Sequence, residues 1–131
     1  MDSKIRFRNV DLELVARFDL RKFAATMERK GLLCLQVAQW ENGDWRARFE
    51  SNVDGGEAEV TVGRLLLVAE GLGKASRAIW DACSLREFDI GYECGAIPFH
   101  FTNALSPDIV RRIADVGAGI KITLYGAPTV D

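Results

Sequence analysis

The chain has little of what stapled or metal-held folds depend on. Its three cysteines, Cys34, Cys83 and Cys94, are odd in number, none forms a Cys-x-x-Cys pair, and there is one histidine, His100. Neither a disulfide framework nor a zinc knuckle is indicated, and reduced thiols acting as small buried hydrophobes in a cytosol fit best. An excess of basic residues is also lacking. Seventeen Lys and Arg stand against 19 Asp and Glu, for a net charge of −2 and a pI near 5.5, which is not the footprint that phosphate backbones select. The longest wholly apolar run, Leu65 to Ala69, is far too short to span a bilayer, and no charged start leads into an apolar leader segment. The expectation is a soluble cytoplasmic protein that uses no nucleic acid and no membrane.

What is present is ordinary globular material. Hydrophobic residues make up 48% and charged residues 27% of 131 positions, enough for one domain, residues 1–131, with a core that needs no staple. Ile5 and Phe7, then Val10, Leu12 and Leu14, alternate in a strand whose phase changes near Asn9, the mark of a bulge. Asp19 precedes Leu20, Phe23, Ala24 and Met27 at helical spacing, and Gly31 stops that helix. Asn42-Gly43 between two alternating runs predicts a two-residue hairpin turn, with Glu41 facing Asp44, Trp40 facing Trp45, Ala38 facing Ala47 and Gln36 facing Phe49. The tryptophans then share one sheet face, and Gln39, Arg46, Arg48 and Glu50 share the other.

After a polar loop, Ser51 to Glu59, an apolar stripe of Val62, Leu65, Leu66, Ala69, Leu72, Ala75, Ile79 and Trp80 predicts a long helix to about Cys83, with Gly71 and Gly73 marking a kink or break. Ser106-Pro107 reads as an N-cap and first helical residue before Ile109, Val110 and Ile113, with Gly117 as the stop. Ile120, Ile122 and Leu124 alternate in a last strand. The order β-α-β-β-α-β-α-β predicts an α+β fold, with a mostly antiparallel sheet, helices on one face, and a ferredoxin-like core extended by a helix and a strand.

Two stretches invite chemistry. Gly71 to Ser76, GLGKAS, suggests a phosphate loop, but Val68 stands where the first glycine is needed and Ala75 where Ser or Thr must follow the lysine. In REFDIGYECGAIPFHF, residues 86 to 101, Cys94 and His100 suggest a nucleophile and its base. Period-2 geometry places Cys94 instead with Phe88, Ile90 and Tyr92 on the apolar side, where a thiol is inert. The phase flips at Gly95-Ala96. A bulge there turns His100 away from Cys94, and a turn leaves their relation open. The opposite side carries Glu87, Asp89 and Glu93, an acidic row suited to docking a basic partner, with Asp54, Glu57 and Glu59 as additions from the loop. Nothing predicts a pocket or converging acids, so the reading is not an enzyme, with no cofactor and no metal.

The run Trp80 to Gly95, followed by Ala104 to Gly126, resembles a group of small bacterial domains of unknown function, some of which accompany polymorphic toxins and contact-dependent inhibition systems as immunity proteins. The likeness spans roughly residues 45 to 126, through Trp45, Leu65-Leu66, Ser106-Pro107, Gly117 and Tyr125. It implies a bacterial immunity protein that binds a cognate protein toxin, such as a nuclease, and neutralises it by occlusion as a monomer or weak homodimer. The alternatives are a small-ligand or protein-binding module and a Cys-dependent hydrolase.

Overall fold

The computed structural model describes residues 4–126. The elements run β1 (Arg6–Ala16), α1 (Arg21–Arg29), β2 (Leu32–Gln39), β3 (Trp45–Ser51), α2 (Ala58–Glu70), α3 (Lys74–Ala82), β4 (Leu85–Glu93), α4 (Pro107–Asp115) and β5 (Gly119–Tyr125). The fold is α+β, with a five-stranded mixed sheet in the order β2-β3-β1-β4-β5. Three of its pairings are antiparallel and β4 with β5 is parallel. A parallel pair needs a crossover, and α4 supplies it.

Strand β1 sits in the middle with both edges paired, one face under the helices and the other under the side chains of neighbouring strands, and its burial is continuous from Val10 to Ala16. Val10, Leu12, Leu14 and Ala16 join Ala47, Phe49, Phe88 and Ile90 in a core closed by Phe23 and Met27 of α1, Val62, Leu65 and Leu66 of α2, Trp80 of α3, and Ile109 and Ile113 of α4. Each fully buried side chain of this size contributes about 1.5–3 kcal/mol of transfer free energy. The intervening residues, Asp11 and Glu13 on β1 and their neighbours on β3, β4 and β5, form the other face of the sheet. Register along β1 shifts between Phe7 and Asn9, a bulge where the phase change near Asn9 predicts one.

Where the helical stripe predicts a kink or a break at Gly71 and Gly73, there is a break, and two helices result. Gly71 caps α2, its N–H donating to the carbonyls of Leu67 and Val68, and Gly73 is extended ahead of α3. Two poor helix formers flanking one buried leucine make the break cheaper than continuation. The break turns Trp80 inward, where it is fully buried and donates its indole N–H to the Val116 carbonyl at 2.8 Å. Arg86 gathers the helix ends nearby. Its guanidinium donates to the carbonyls of Trp80, Cys83 and Gly117 at 3.0, 2.7 and 3.0 Å. Gly117 has φ +74°, and a Cβ there would meet the Arg86 guanidinium at 3.3 Å.

Helix starts follow local chemistry. Asp19 accepts the Arg21 N–H at 2.8 Å, and the Ser106 hydroxyl accepts from the Ile109 N–H with Pro107 at the first helical position.

The hairpin differs from expectation by one residue. Trp45 pairs with Gln39, Arg46 with Ala38, Ala47 with Val37 and Arg48 with Gln36, and a further shift follows between Cys34 and Gln36. The Trp40 N–H donates to the Asp44 carbonyl, which leaves a three-residue loop, Glu41-Asn42-Gly43. Asn42 spends its side chain accepting the Asp44 N–H at 3.0 Å, and Gly43 takes φ +91°, the geometry of a turn closed by a left-handed residue. One residue of slip reverses every side chain. Trp45 therefore packs against the core beneath Arg21, whereas Trp40 lies half exposed on the open face beneath Arg46.

A Cβ at Gly43 would meet nothing within 4 Å, so Gly43→Ala isolates the conformational cost. Urea denaturation should show a loss of about 1–2 kcal/mol with an unchanged m-value.

Candidate functional site

The face of the sheet opposite the helices is polar and ordered around Glu13. This central carboxylate is 5% exposed, and it accepts from Arg46 Nη1 at 3.2 Å and Lys121 Nζ at 3.3 Å, with Arg48 Nη2 at 3.7 Å. Strand order explains the convergence. Glu13 is opposite Arg48 on β3 and Glu87 on β4, while Lys121 on β5 reaches across Glu87 and Asp89 at 3.6 and 3.8 Å. Asp89, 8% exposed, also accepts the Thr123 hydroxyl at 2.6 Å. Burial opposes the charge on Lys121, but the Glu13 hydrogen bond and the fields of Glu13, Asp89 and Glu87 outweigh it and hold the ammonium pKa above its ordinary value.

Asp11 lies next along β1, opposite Asp89. Asn9 Nδ2 donates to both Asp11 and Glu50, at 3.3 and 3.1 Å, so one amide bridges two carboxylates. Arg48 Nε stands 3.9 Å from Asp11. Burial first, then the Glu50 charge, push the Asp11 pKa up to about 6 against the pull of Arg48. The face thus carries Asp11, Glu13, Glu50, Glu87 and Asp89 against Arg46, Arg48 and Lys121. Arg46 lies 4.4 Å over the Trp40 ring, and a cavity of about 200 Å³ opens among Glu13, Gln36, Trp40, Arg46, Arg48 and Lys121.

The acids expected from the sequence fall into separate places. Glu87 and Asp89 belong to this network and share Lys121, so they form part of a cross-linked, partly compensated lattice rather than a bare row. Glu93 is at its border, held by Arg6 at 2.6 Å. Asp54 lines a groove of about 510 Å³ with Arg8, Asn9 and Glu50 at one end of the face. Glu57 precedes α2, and Glu59, in its first turn, accepts the Ser106 N–H at 2.5 Å. Ser106, through its side chain first and its backbone N–H second, holds the Glu59 carboxyl below its usual pKa, and the contact joins α2 to the start of α4, so Glu59 works within the helical layer. Asp11, Glu13, Glu50 and the three cations were missing from the expected set. Alternation along β1 and β5 marks their side of the strand, but only the strand order brings them together.

Cys94 does not lie among the core side chains. Strand β4 ends at Glu93, and the chain turns away in a loop. Half-buried Cys94 and exposed His100 line an apolar groove of about 450 Å³ with Ile5, Tyr92, Phe99 and Phe101. No hydrogen bond links the thiol and the imidazole among the described residues. Cys83 is the buried thiol, its pKa pushed up to about 11 by burial against the pull of Arg86. No cluster of three or more His, Cys, Asp or Glu suited to a metal occurs among the described residues.

Two outcomes follow for solution chemistry. In thiol labelling near pH 8, Cys83 should react only on unfolding, since a pKa about three units above the medium leaves roughly one thiolate in a thousand. For Asp11, the folded pKa lies above the unfolded value of 3.8, so the native state favours the protonated form. Stability from this group is therefore undiminished below pH 4, falls as pH rises to about 6, and stays reduced above it. Asp11→Asn should flatten that part of the stability profile in urea titrations at successive pH values. It should also gain about 1 kcal/mol at pH 7.

Comparison with family models, curated proteins and solved structures finds no match to this chain, so assignment rests on the geometry of the open face.

Proposed function

We propose that this chain is a bacterial immunity protein that binds a cognate toxin domain and neutralises it by occlusion, without catalysis. The observation that carries the reading is an entire sheet face left free of helices and built of charged side chains held in fixed positions. The residues that bond Glu13 to Arg46 and Lys121 come from three strands, so the lattice is preorganised and a partner meets it with little ordering cost. Five carboxylates against three cations leave the face net negative. Such a surface complements a basic substrate site, the kind a nuclease toxin presents, and steers encounter with it. Glu87, Asp89 and Glu93 with Asp54 remain the acids assigned to docking, joined by Asp11 and Glu50. Glu57 stays a peripheral candidate, and Glu59 supports the fold.

The reading extends to architecture and setting. The antiparallel order β2-β3-β1-β4 supports a ferredoxin-like core with α4 and β5 as its extension, and the absence among described residues of any helix long and apolar enough to cross a membrane is compatible with a cytoplasmic setting. A small-ligand module is the second reading, favoured by the cavity beside Trp40. At about 200 Å³ it is smaller than the ~300–1,000 Å³ of ordinary ligand sites, and the larger hollows, of about 510, 450 and 620 Å³, are open grooves rather than enclosed cavities, which places this reading behind the protein partner.

Co-expression with the toxic product of the adjacent gene should protect cells and yield a stable complex. Failure of both protection and complex formation would remove the immunity reading. Glu87→Lys, which adds a cation beside Lys121 on the open face, should weaken the complex about tenfold, mainly through a slower, less salt-sensitive association rate in surface-binding kinetics.

A further inference from the structure

The sheet has two edges, β2 and β5, and they are finished differently. Strand β2 is interrupted by the register shift between Cys34 and Gln36, a device that discourages edge-to-edge pairing. Strand β5 runs without a shift along all seven residues of its pairing with β4. Among the described residues no strand pairs with its outer side, which offers a continuous row of backbone donors and acceptors.

The side chains beside that edge are apolar. Ile120, Ile122 and Leu124 are opposite Phe88, Ile90 and Tyr92 and so face the helical side, yet they are 41%, 62% and 65% exposed. Phe99, fully exposed, and Phe101, at 39%, line the groove that contains Ile122 and Leu124. Together these five side chains expose on the order of 600 Å². Monomers rarely leave contiguous apolar patches larger than a few hundred Å², and a standard interface buries about 800 Å² per partner, little more than half of it apolar. The patch is therefore large enough for the apolar part of a dimer contact.

We propose that β5 is the interface of a symmetric dimer, the occupant being β5 of a second copy in antiparallel pairing, with the two-fold axis at Ile122. In that register Ile122 meets its own counterpart and Ile120 meets Leu124 of the partner subunit, so the apolar rows coincide on the helical side of a continuous sheet. Lys121 meets Thr123 of the partner subunit. A register centred on Lys121 would oppose two like charges, which disfavours it. Lys121 keeps its bonds to Glu13, so dimerisation leaves the charged face open. The inference does not rest on the immunity reading.

Sedimentation velocity of the whole chain over micromolar to high-micromolar concentrations tests it. The expected result is a species of twice 14.5 kDa that dissociates on dilution, with Ile122→Lys weakening dimerisation by at least ~10-fold. Because Ile122 is exposed, that variant should keep the native circular dichroism spectrum. Register is read independently in a Cys34→Ser, Cys94→Ser background. There, Ile122→Cys should form a disulfide-linked dimer under mild oxidation, and Ile120→Cys should not, since only position 122 faces itself. A monomer at every concentration, or equal cross-linking at positions 120 and 122, would overturn the proposal.

Discussion

Glu13 is the carboxylate on which the arrangement of the sheet depends. It stands on the central strand, nearly out of contact with water, and is bonded to cations from both sides. A charge in that position is strongly unfavourable without partners, and its loss would leave Arg46, Arg48 and Lys121 crowded together. The pairing also settles the layering. With its buried acids bonded to cations across the strands, the polar face needs no covering helix, and all four helices among the described residues contribute to the core on the other side. The same alternation along β1 thus produces an apolar core row and a charged row one residue out of phase.

Most of the elements were legible in the sequence, because each rested on a local signal with one physical meaning. Ser106-Pro107 marked a helix start, Gly117 a stop, and the phase change near Asn9 a bulge. The failures occurred where two local chemistries competed. Asn42-Gly43 suits a two-residue turn, but Asn42 capping the Asp44 N–H draws in Glu41 as well, and that one residue sends Trp40 and Trp45 to opposite faces. The Gly71-Leu72-Gly73 segment fits both a kink and a break, and the pull of Trp80 into the core decides for the break. Extending β4 one residue beyond Glu93 places Cys94 in the apolar row, but the strand ends before it.

The candidate site was legible only in part. Period-2 reading separated Glu87 and Asp89 from Phe88 and Ile90 correctly. It could not place Lys121, more than thirty residues further along the chain, between those acids, because that requires knowing that β5 lies parallel to β4. Charge on a strand is a local property, whereas neutralisation depends on strand order. An acidic row in sequence is for this reason a poor guide to the potential that a partner meets.

Arg86 and Gly117 have a consequence for tracing relatives of this chain. One guanidinium serves carbonyls at the ends of two helices, and it has room to do so because the residue over it has no side chain. Lysine lacks the planar fork that reaches carbonyls on both sides, and any side chain at Gly117 would press on it. The two positions should change together or not at all. In a distant sequence, a tryptophan followed six residues later by arginine, with a glycine some thirty positions beyond, would be a more specific signature of common ancestry than the caps and apolar stripes, which unrelated proteins acquire independently.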